Sequence, residues 1–266
     1  MSDYHTEIDW RQPINWMHPL NRGLVGKWLV LPGMGGSRWR DLTRINDGTL
    51  TNMDPTDWVG ATSRPGGWGA VAFDATDDYV NTHSDFDSAF SNVTAATWVN
   101  HTSLTGGQAY IGHRSTPNNG WVFKWNGSVL QITLFGVVDK PASSSGLIAN
   151  QWQHTAVTYD GGTVVFFENG KEVSSHSVGT MRHATEDMYL GSLNNKGTAA
   201  DFFNGMLDDP TLYDRALSAT DVSDLFHESK NGYPNALNRI GRPRRFVAAT
   251  AGVPKTPYFA WQAAMT

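Results

Sequence analysis

The stretch Phe203–Val222 reads FNGMLDDPTLYDRALSATDV and contains the pattern of a strand, a turn and the start of a helix. Up to Tyr213, apolar residues are interspersed with acidic and hydroxyl residues, as in a half-buried strand. Pro210 cannot donate a hydrogen bond to a neighbouring strand, so it predicts an edge position or a β-bulge. Ser218 and Asp221 have the spacing of a capping box, and an apolar stripe at helical spacing follows them. The stretch therefore predicts a strand that leads into one short helix.

The rest of the chain has the spacing of an all-β sandwich or barrel, because short apolar segments recur between turns rich in Gly and Asn. Asn169-Gly170 is typical of a type I′ hairpin turn. The predicted strands are Leu24–Leu31, Gly69–Phe73, Ala95–Asn100, Tyr110–Gly112, Trp121–Trp125, Val129–Phe135, Trp152–Tyr159, Thr163–Glu168, Lys171–Ser175, Met188–Gly191 and Phe203–Tyr213.

Composition limits the class of protein. The chain has 266 residues, of which 39% are hydrophobic, and its 11 Trp and 12 Phe are enough for a sizeable core. Because Cys is absent from the sequence, disulfides and thiolate metal sites are excluded. Residues 1–13 are polar and no apolar run follows them, so we expect no secretory signal peptide. No segment has the length of a membrane helix.

The charge is unevenly distributed. From Glu228 to the end, six basic residues and one acidic residue give +5, so the preceding part must carry −10 to reach the overall −5. A basic tail on an acidic body predicts contact with nucleic acid or with an acidic protein surface. No aromatic stacking platform accompanies the basic cluster, which disfavours nucleic acid and favours docking on a neighbouring copy of the chain.

Three segments follow from these patterns: an N-terminal arm (1–20), a body (21–231) and a basic C-terminal arm (232–266). Neither arm has the apolar periodicity to build its own core, so we expect both to be held on the body or on neighbouring subunits. The residues expected to anchor the arms in an assembly are Trp10, Trp16, Arg244, Arg245, Phe246, Tyr258, Phe259 and Trp261.

Five blocks occur in the order found in one known family. They are Leu24–Trp28, Asp41 with Asn46–Leu50, Ala72–Val80, Trp152–Gly161 with Phe166–Lys171, and the stretch quoted first. In these blocks the chain resembles the laminin-G-like jelly-roll family of concanavalin A-like proteins. The resemblance covers roughly residues 22–231. It implies an all-β, two-sheet antiparallel jelly-roll sandwich, with the short helix near its C-terminal end.

The resemblance also implies a structural Ca²⁺ ion that joins an early loop to the last strand. Asp208 matches the acidic residue of the closing block, and Asp41 and Asn46 match the early loop. The alternative is that these residues only stabilise turns through side-chain hydrogen bonds. Asp74 and Asp78 lie in a further loop with calcium-like spacing, but a turn is the favoured interpretation because the glycine of such a loop is missing.

Sugar binding requires aromatic faces together with polar groups that orient hydroxyls. The candidates in this sequence are Trp58, Trp68, Tyr110, His113 and Arg114. For any single Trp, packing in the core is the more frequent role.

Catalytic patterns are missing from the sequence. It contains no Glu-x-Asp-x-x-Glu strand, no Gly-x-Ser-x-Gly elbow and no His-Glu-x-x-His helix. Glu168 and Glu172 flank the predicted hairpin turn, where solvated charge is normal. We therefore expect a protein that is not an enzyme.

Both arms resemble those of single-domain laminin-G-like proteins of tailed bacteriophages. This resemblance implies a virion surface protein that is assembled in the host cytoplasm, displays its jelly roll outward and binds host glycans. The arms would contact other virion proteins or copies of the same chain in an oligomer. Two alternatives stay open, a stand-alone carbohydrate-binding module and a divergent glycan hydrolase or lyase. The position of the arms should separate the structural role from the binding module.

Overall fold

The fold was analysed in a computed structural model that describes residues 7–9, 12–60, 62–86 and 91–240. Within these ranges the chain forms twenty strands and one α-helix, α1 (Ala219–Lys230). The strands are β1 (Glu7–Ile8), β2 (Leu24–Lys27), β3 (Arg38–Trp39), β4 (Gly48–Thr51), β5 (Trp58–Gly60), β6 (Gly69–Asp74), β7 (Tyr79–Asn81), β8 (Val93–His101), β9 (Gln108–Thr116), β10 (Asn119–Trp125), β11 (Leu130–Leu134), β12 (Val138–Pro141), β13 (Gln153–Tyr159), β14 (Thr163–Glu168), β15 (Lys171–Ser177), β16 (Tyr189–Leu190), β17 (Leu193–Asn195), β18 (Thr198–Ala200), β19 (Asn204–Tyr213) and β20 (Arg239–Ile240).

Two sheets form a β-sandwich. The ten-stranded sheet has the order β12-β11-β10-β9-β16-β7-β4-β3, with β17 pairing with β9 and with β18. The eight-stranded sheet has the order β15-β14-β13-β8-β19-β6-β5, and β2 pairs with β19. All pairings are antiparallel except the short one between β17 and β9. The predicted all-β jelly-roll sandwich with one short helix is confirmed.

The long strands were predicted to within a few residues, and the hairpin from β14 to β15 turns at Asn169-Gly170 as expected. The opening strand ends at Lys27 and not at Leu31, because its pairing with β19 stops at the irregularity around Pro210 and the Val30 N–H donates to the Asp208 side chain at 2.9 Å. Several strands of two to four residues were missed. Segments this short show too little alternation to be recognised.

The main core lies between the two sheets and is rich in aromatic side chains. Alternation along β8 shows how it is built, since Ala95 packs into the main core while Ala96 packs on the opposite face. Its largest fully buried members are Trp28, Trp39, Trp121, Tyr110, Tyr159, Phe123, Phe166 and Phe203. Burial of many aromatic side chains is the main source of stability in such a sandwich.

A second core covers the outer face of the eight-stranded sheet. Helix α1 packs there, together with the chain segments next to both ends. Ile14 forms a β-bridge with Leu237, and both side chains are buried. The inner parts of the two predicted arms therefore pack on their own body.

The anchor residues predicted for the arms are only partly described. Trp16 has 56% of its surface exposed. The other predicted anchors lie outside the described residues: Trp10, Arg244, Arg245, Phe246, Tyr258, Phe259 and Trp261.

Helix α1 begins with the predicted capping box. The N–H of Asp221 donates to the Ser218 hydroxyl at 3.1 Å, and the Ser218 N–H donates to the Asp221 carboxylate at 3.3 Å. Val222, Leu225 and Phe226 form the buried stripe. In the described part of the chain, no helix is long and apolar enough to cross a bilayer.

The segment around Pro210 is a β-bulge, one of the two arrangements predicted from the sequence. Asp208 lies opposite Trp98 and Thr211 opposite Ala96, so Asp209 and Pro210 share a single opposing residue. Before the bulge β19 pairs with β6, and after it β19 pairs with β2. β8 stays the neighbour on one edge of β19, and the bulge is the point at which the neighbour on the other edge changes from β6 to β2.

Two buried ion pairs form at this bulge. The Asp209 carboxylate lies 2.5 Å from Lys27 Nζ, and the Lys27 ammonium also contacts the Tyr233 hydroxyl at 2.6 Å. Asp208 pairs with Arg64 at 2.5 Å, and both of these side chains are fully buried. Burial lowers the pKa of Lys27, against the opposing effect of Asp209. Each buried charge therefore depends on its partner.

We expect Asp209→Asn to destabilise the fold by about 3–5 kcal/mol, because it leaves the Lys27 ammonium buried without a counter-charge. Urea unfolding would measure the free energy of unfolding.

Asp201→Asn is the matched control, since Asp201 also pairs with a lysine and also has a positive φ, 52° against 59° for Asp209. The Asp201 side chain is 35% exposed. Its replacement should therefore cost less than about 1 kcal/mol. An equal loss of unfolding free energy in the two variants would contradict the conclusion that the buried Lys27 depends on Asp209.

Candidate functional site

The early loop predicted to bind calcium is held by its own hydrogen bonds. Asp41 Oδ1 accepts the N–H groups of Lys27 and Thr43, both at 2.9 Å. Asp41 Oδ2 accepts the Asn46 N–H at 3.1 Å and also the Thr43 hydroxyl. The Asn46 amide donates to Val25 at 3.2 Å. These contacts fix the loop to β2, which is the turn-stabilising alternative.

The Asp208 carboxylate is bound by groups outside the early loop. It accepts the Val30 N–H at 2.9 Å and pairs with Arg64. Burial raises the pKa of Asp208 to about 6, although Arg64 favours the ionised form. Asp208 and Asp41 thus accept hydrogen bonds from internal donors and do not offer a set of free oxygens to a cation. Calcium binding at these residues stays a prediction.

An acidic turn joins β6 to β7. One carboxylate oxygen from each of Asp74, Asp77 and Asp78 lies within 4.8 Å of the others. Asp74 accepts the Thr76 N–H at 2.7 Å, and Asp78 accepts the Asp74 N–H at 3.0 Å, which is the predicted turn role. Burial raises the pKa of Asp78 to about 6, against the Asp74 N–H that it accepts, and the Asp74 carboxylate contributes to the rise.

Two of the predicted sugar-binding residues lie in the interior, which corrects the sequence prediction. Tyr110 and His113 are fully buried. The Tyr110 hydroxyl lies 2.9 Å from His101 Nε2, and His113 Nδ1 lies 3.0 Å from the Glu186 carbonyl oxygen. A buried ring cannot stack on a sugar, so both residues are structural.

The other three predicted sugar-binding residues are not brought together. Trp58 lies in β5 of the eight-stranded sheet and donates to the Gly36 carbonyl at 2.8 Å. Trp68 packs against the second core. Arg114 lies in β9 of the other sheet, with its guanidinium 4.4 Å from the Phe135 ring centroid. These residues therefore do not form one site.

The structure instead brings together two tyrosines on the outer face of the ten-stranded sheet. The rings of Tyr79 (β7) and Tyr189 (β16) are stacked, with centroids 4.4 Å apart and planes 19° apart. Val80 and Leu190 pack into the main core, so the adjacent tyrosines lie on the outer face of the sheet. Tyr79 is partly exposed, whereas Tyr189 is only 7% exposed and supports the Tyr79 ring. Sequence reasoning missed the pair because a separation of 110 residues hides it. Alternation around Val80 was the available signal for Tyr79.

Polar groups surround this pair. Asn81 donates to the Asp187 carboxylate at 3.1 Å and accepts the His83 N–H at 2.8 Å, so it positions both residues. The exposed His83 ring nitrogen Nε2 lies 2.7 Å from the Thr49 hydroxyl. Burial, with Tyr79 beside it, raises the pKa of Tyr189 to about 12, so its hydroxyl keeps its proton. We call the six residues Thr49, Tyr79, Asn81, His83, Asp187 and Tyr189 the tyrosine face.

The tyrosine face continues to the edge of the sheet. Tyr189 pairs with Asn81, Asn81 with Thr49 and Thr49 with Arg38, so these four residues form one row across β16, β7, β4 and β3. Residues directly opposite each other share a face of the sheet. Three strand spacings place Arg38 about 14 Å from Tyr189.

Two adjoining pockets lie at this edge. The larger, of about 380 Å³, is lined by Pro32, Gly33, Met34, Gly35, Arg38 and Arg40. The smaller, of about 230 Å³, shares Arg40 and adds Arg44. Trp39 is buried in the main core, so the flanking Arg38 and Arg40 point away from it. We call the two pockets together the arginine groove.

The chain belongs to the concanavalin A-like lectin/glucanases superfamily. A family model of that superfamily, Laminin_G_3, matches residues 74–223, more than half of the chain. The sequence has no match among curated proteins.

Solved structures of low sequence identity share the fold. Domain 4 of AbnA, an extracellular arabinanase of Geobacillus stearothermophilus solved with arabinotriose, is 20% identical with a TM-score of 0.59, over 76% of this chain and 97% of that one. The binding domain of Paraclostridial Mosquitocidal Protein 1 is 19% identical with a TM-score of 0.57, over 78% and 52%. A mutant Trypanosoma rangeli sialidase is 15% identical with a TM-score of 0.57. The match covers 81% of this chain but only 34% of the sialidase.

Asp78→Asn should stabilise the protein at neutral pH but not at pH 4. The pKa of Asp78 is about 6 in the folded protein against an ordinary 3.8, so the folded state holds its proton to higher pH. The free energy of unfolding therefore decreases as pH rises through this window. The variant should avoid a loss on the order of 1–2 kcal/mol.

Thermal unfolding at several pH values, with a chelator present, would measure this as a difference in Tm of a few degrees that opens between pH 4 and pH 7. Asp77→Asn, in the same turn but exposed, is the control and should show a smaller pH-dependent difference. A difference in Tm between Asp78→Asn and the parent protein that does not change with pH would disprove the interpretation.

Proposed function

We propose that this protein is a carbohydrate-binding domain and that the tyrosine face is its binding surface. The observation that carries the proposal is the stacked Tyr79–Tyr189 pair, which lies on the outer face of the sheet among hydroxyl, imidazole and carboxylate groups. Sugars have apolar C–H faces and hydroxyl edges, and this surface has a complementary group for each.

The groups of the tyrosine face are already oriented. Asn81 fixes Asp187 and His83 through its amide, and Thr49 is bonded to the His83 ring. Groups held in this way lose little conformational freedom on binding, which favours affinity. The partly exposed Asp187 carboxylate can accept hydrogen bonds from sugar hydroxyls, and the partly exposed Tyr79 ring offers the stacking face.

The same fold holds a sugar in a solved structure. The arabinanase domain is in complex with arabinotriose, and the mosquitocidal fragment is a binding domain. At 20% and 19% identity these structures support the fold and leave the ligand of this chain to experiment.

The proposal assigns binding without catalysis. Glu168 accepts hydrogen bonds from Ser145 and from the Gly146 N–H, the latter at 2.8 Å, which is a loop-stabilising role. The alternative, a glycan hydrolase or lyase, would be recognised by release of reducing ends or unsaturated products from a polysaccharide. Release of such products would favour the enzyme and contradict the proposal of binding without catalysis.

A role as a virion surface protein stays a separate proposal, supported by the resemblance of the arms alone. Its partners would be other virion proteins or copies of this chain. Association of the protein with purified particles is the direct test.

Tyr79→Ala should weaken glycan binding about tenfold or more, because loss of a central aromatic contact costs more than about 1 kcal/mol. A glycan array identifies the ligand, and calorimetry on the best binder measures the affinity.

Trp16→Ala is the matched control, since Trp16 is an exposed aromatic residue in the segment that packs near the second core. It should leave the affinity unchanged. Circular dichroism and Tm confirm that both variants are folded. Full affinity in a folded Tyr79→Ala variant would rule out the tyrosine face.

Removal of residues 241–266 should leave glycan affinity unchanged, because the tyrosine face and all described members of both cores precede position 241. Calorimetry with the same glycan compares the two lengths of chain. A loss of affinity on truncation would show that the basic segment takes part in binding.

A further inference from the structure

Within the described residues, the arginine groove contains two cations without a counter-charge. They are Arg38 and Arg40, and both are exposed. Across the described residues, no carboxylate lies within ion-pair distance of Arg38 or Arg40, and neither guanidinium has a hydrogen-bond partner. Both side chains line the larger pocket, at the β3 edge of the ten-stranded sheet, in a protein whose overall charge is −5.

The loop beside these arginines adds backbone donors. Gly33 and Gly35 line the same pocket, and neither N–H donates a hydrogen bond in the described structure. A Cβ atom at either position would meet nothing within 4 Å, so these glycines are not required by close packing. Gly33 has a φ of +82°, which favours glycine and turns the backbone. Unpaired N–H groups beside guanidinium groups favour an anion.

The acidic groups near the groove lie at its smaller pocket, which Asp41 and Asp47 line together with Arg40 and Arg44. In the described part of the chain, no acidic residue lines the larger pocket, so the uncompensated positive charge is there, at Arg38 and Arg40. Asp187 lies at the other end of the tyrosine face, beyond β4 and β7. The surface is therefore polarised, with cations at the β3 edge and a carboxylate at the β16 end.

We propose that the arginine groove binds the acidic substituent of an anionic carbohydrate whose sugar rings lie on the tyrosine face. This inference rests on the proposed function and deepens it by naming the class of ligand. The row from Tyr189 to Arg38 is continuous across four strands, so one extended chain can reach both surfaces.

The chemistry fits carboxylate and sulfate groups alike. Guanidinium groups present paired N–H donors that match two oxygens of such an anion. The groove lies at the surface, so each contact is screened by salt and affinity should fall as ionic strength rises. A neutral sugar would engage only the tyrosine face.

The experiment measures binding of the full chain to polygalacturonate, dextran sulfate and neutral dextran, at low and at high salt, by calorimetry. Single-stranded DNA serves as a polyanion of another class. The variants are Arg38→Ala with Arg40→Ala, Arg38→Lys with Arg40→Lys, and Tyr79→Ala. A charge-matched control combines Arg22→Ala with Lys171→Ala, two exposed cations in elements of the other sheet or next to it.

The expected result is salt-sensitive binding of an acidic polysaccharide that falls about tenfold or more in the double-alanine variant, only partly in the double-lysine variant and less than twofold in the control. Preference for polygalacturonate would identify a carboxylate ligand, and preference for dextran sulfate a sulfate ligand.

Three results would overturn the inference. Neutral dextran binding that depends on Tyr79 and ignores the arginine substitutions would leave the proposed function standing alone. DNA binding as tight as polysaccharide binding would show a general polyanion surface. Absence of binding to any glycan, here and on an array, would remove both proposals.

Discussion

The pairing of two adjacent acidic residues with two buried cations determines how the outer layers of this protein are placed. At the bulge of β19, Asp209 holds Lys27 of β2, and Asp208 holds Arg64 of the segment before β6. Tyr233, from beyond the helix, bonds to the same lysine and aspartate. Because buried charges cannot be left alone, this network fixes the relative positions of the strand, its two neighbours and the C-terminal segment.

The sequence was sufficient to predict the long strands and the helix, and insufficient to predict the short strands. Alternation predicted β8, β10, β13 and β14, and the Ser218–Asp221 capping box predicted the start of α1. Pro210 predicted an edge or a bulge, and only the register of β8 against β19 shows that it is a bulge. Strands such as β3 and β18 are two or three residues long and are defined by their partners, so no local pattern could reveal them.

The candidate site was harder to predict for the same reason. Tyr110 and His113 looked suited to sugar contact, but the β-bulges between β9 and β10 and the packing of the two sheets bury both side chains. Tyr79 and Tyr189 come together only because β7 and β16 are neighbours in space. The register of β3 against β4 places Arg38 opposite Thr49 of the tyrosine face, with Arg40 two residues further on, and the sequence alone does not reveal this register.

The bridge between Ile14 and Leu237 has a consequence for how the domain could be used. The chain enters and leaves the sandwich side by side, on the layer outside the eight-stranded sheet, whereas the tyrosines and arginines lie outside the opposite sheet. Two facing sheets are separated by roughly 10 Å, so the two outer surfaces point in opposite directions. A neighbouring module, a scaffold or a solid support joined at this point would leave the proposed ligand surface unobstructed. The two sides of the domain therefore differ, with the Ile14–Leu237 bridge on one side and the proposed ligand surface on the other.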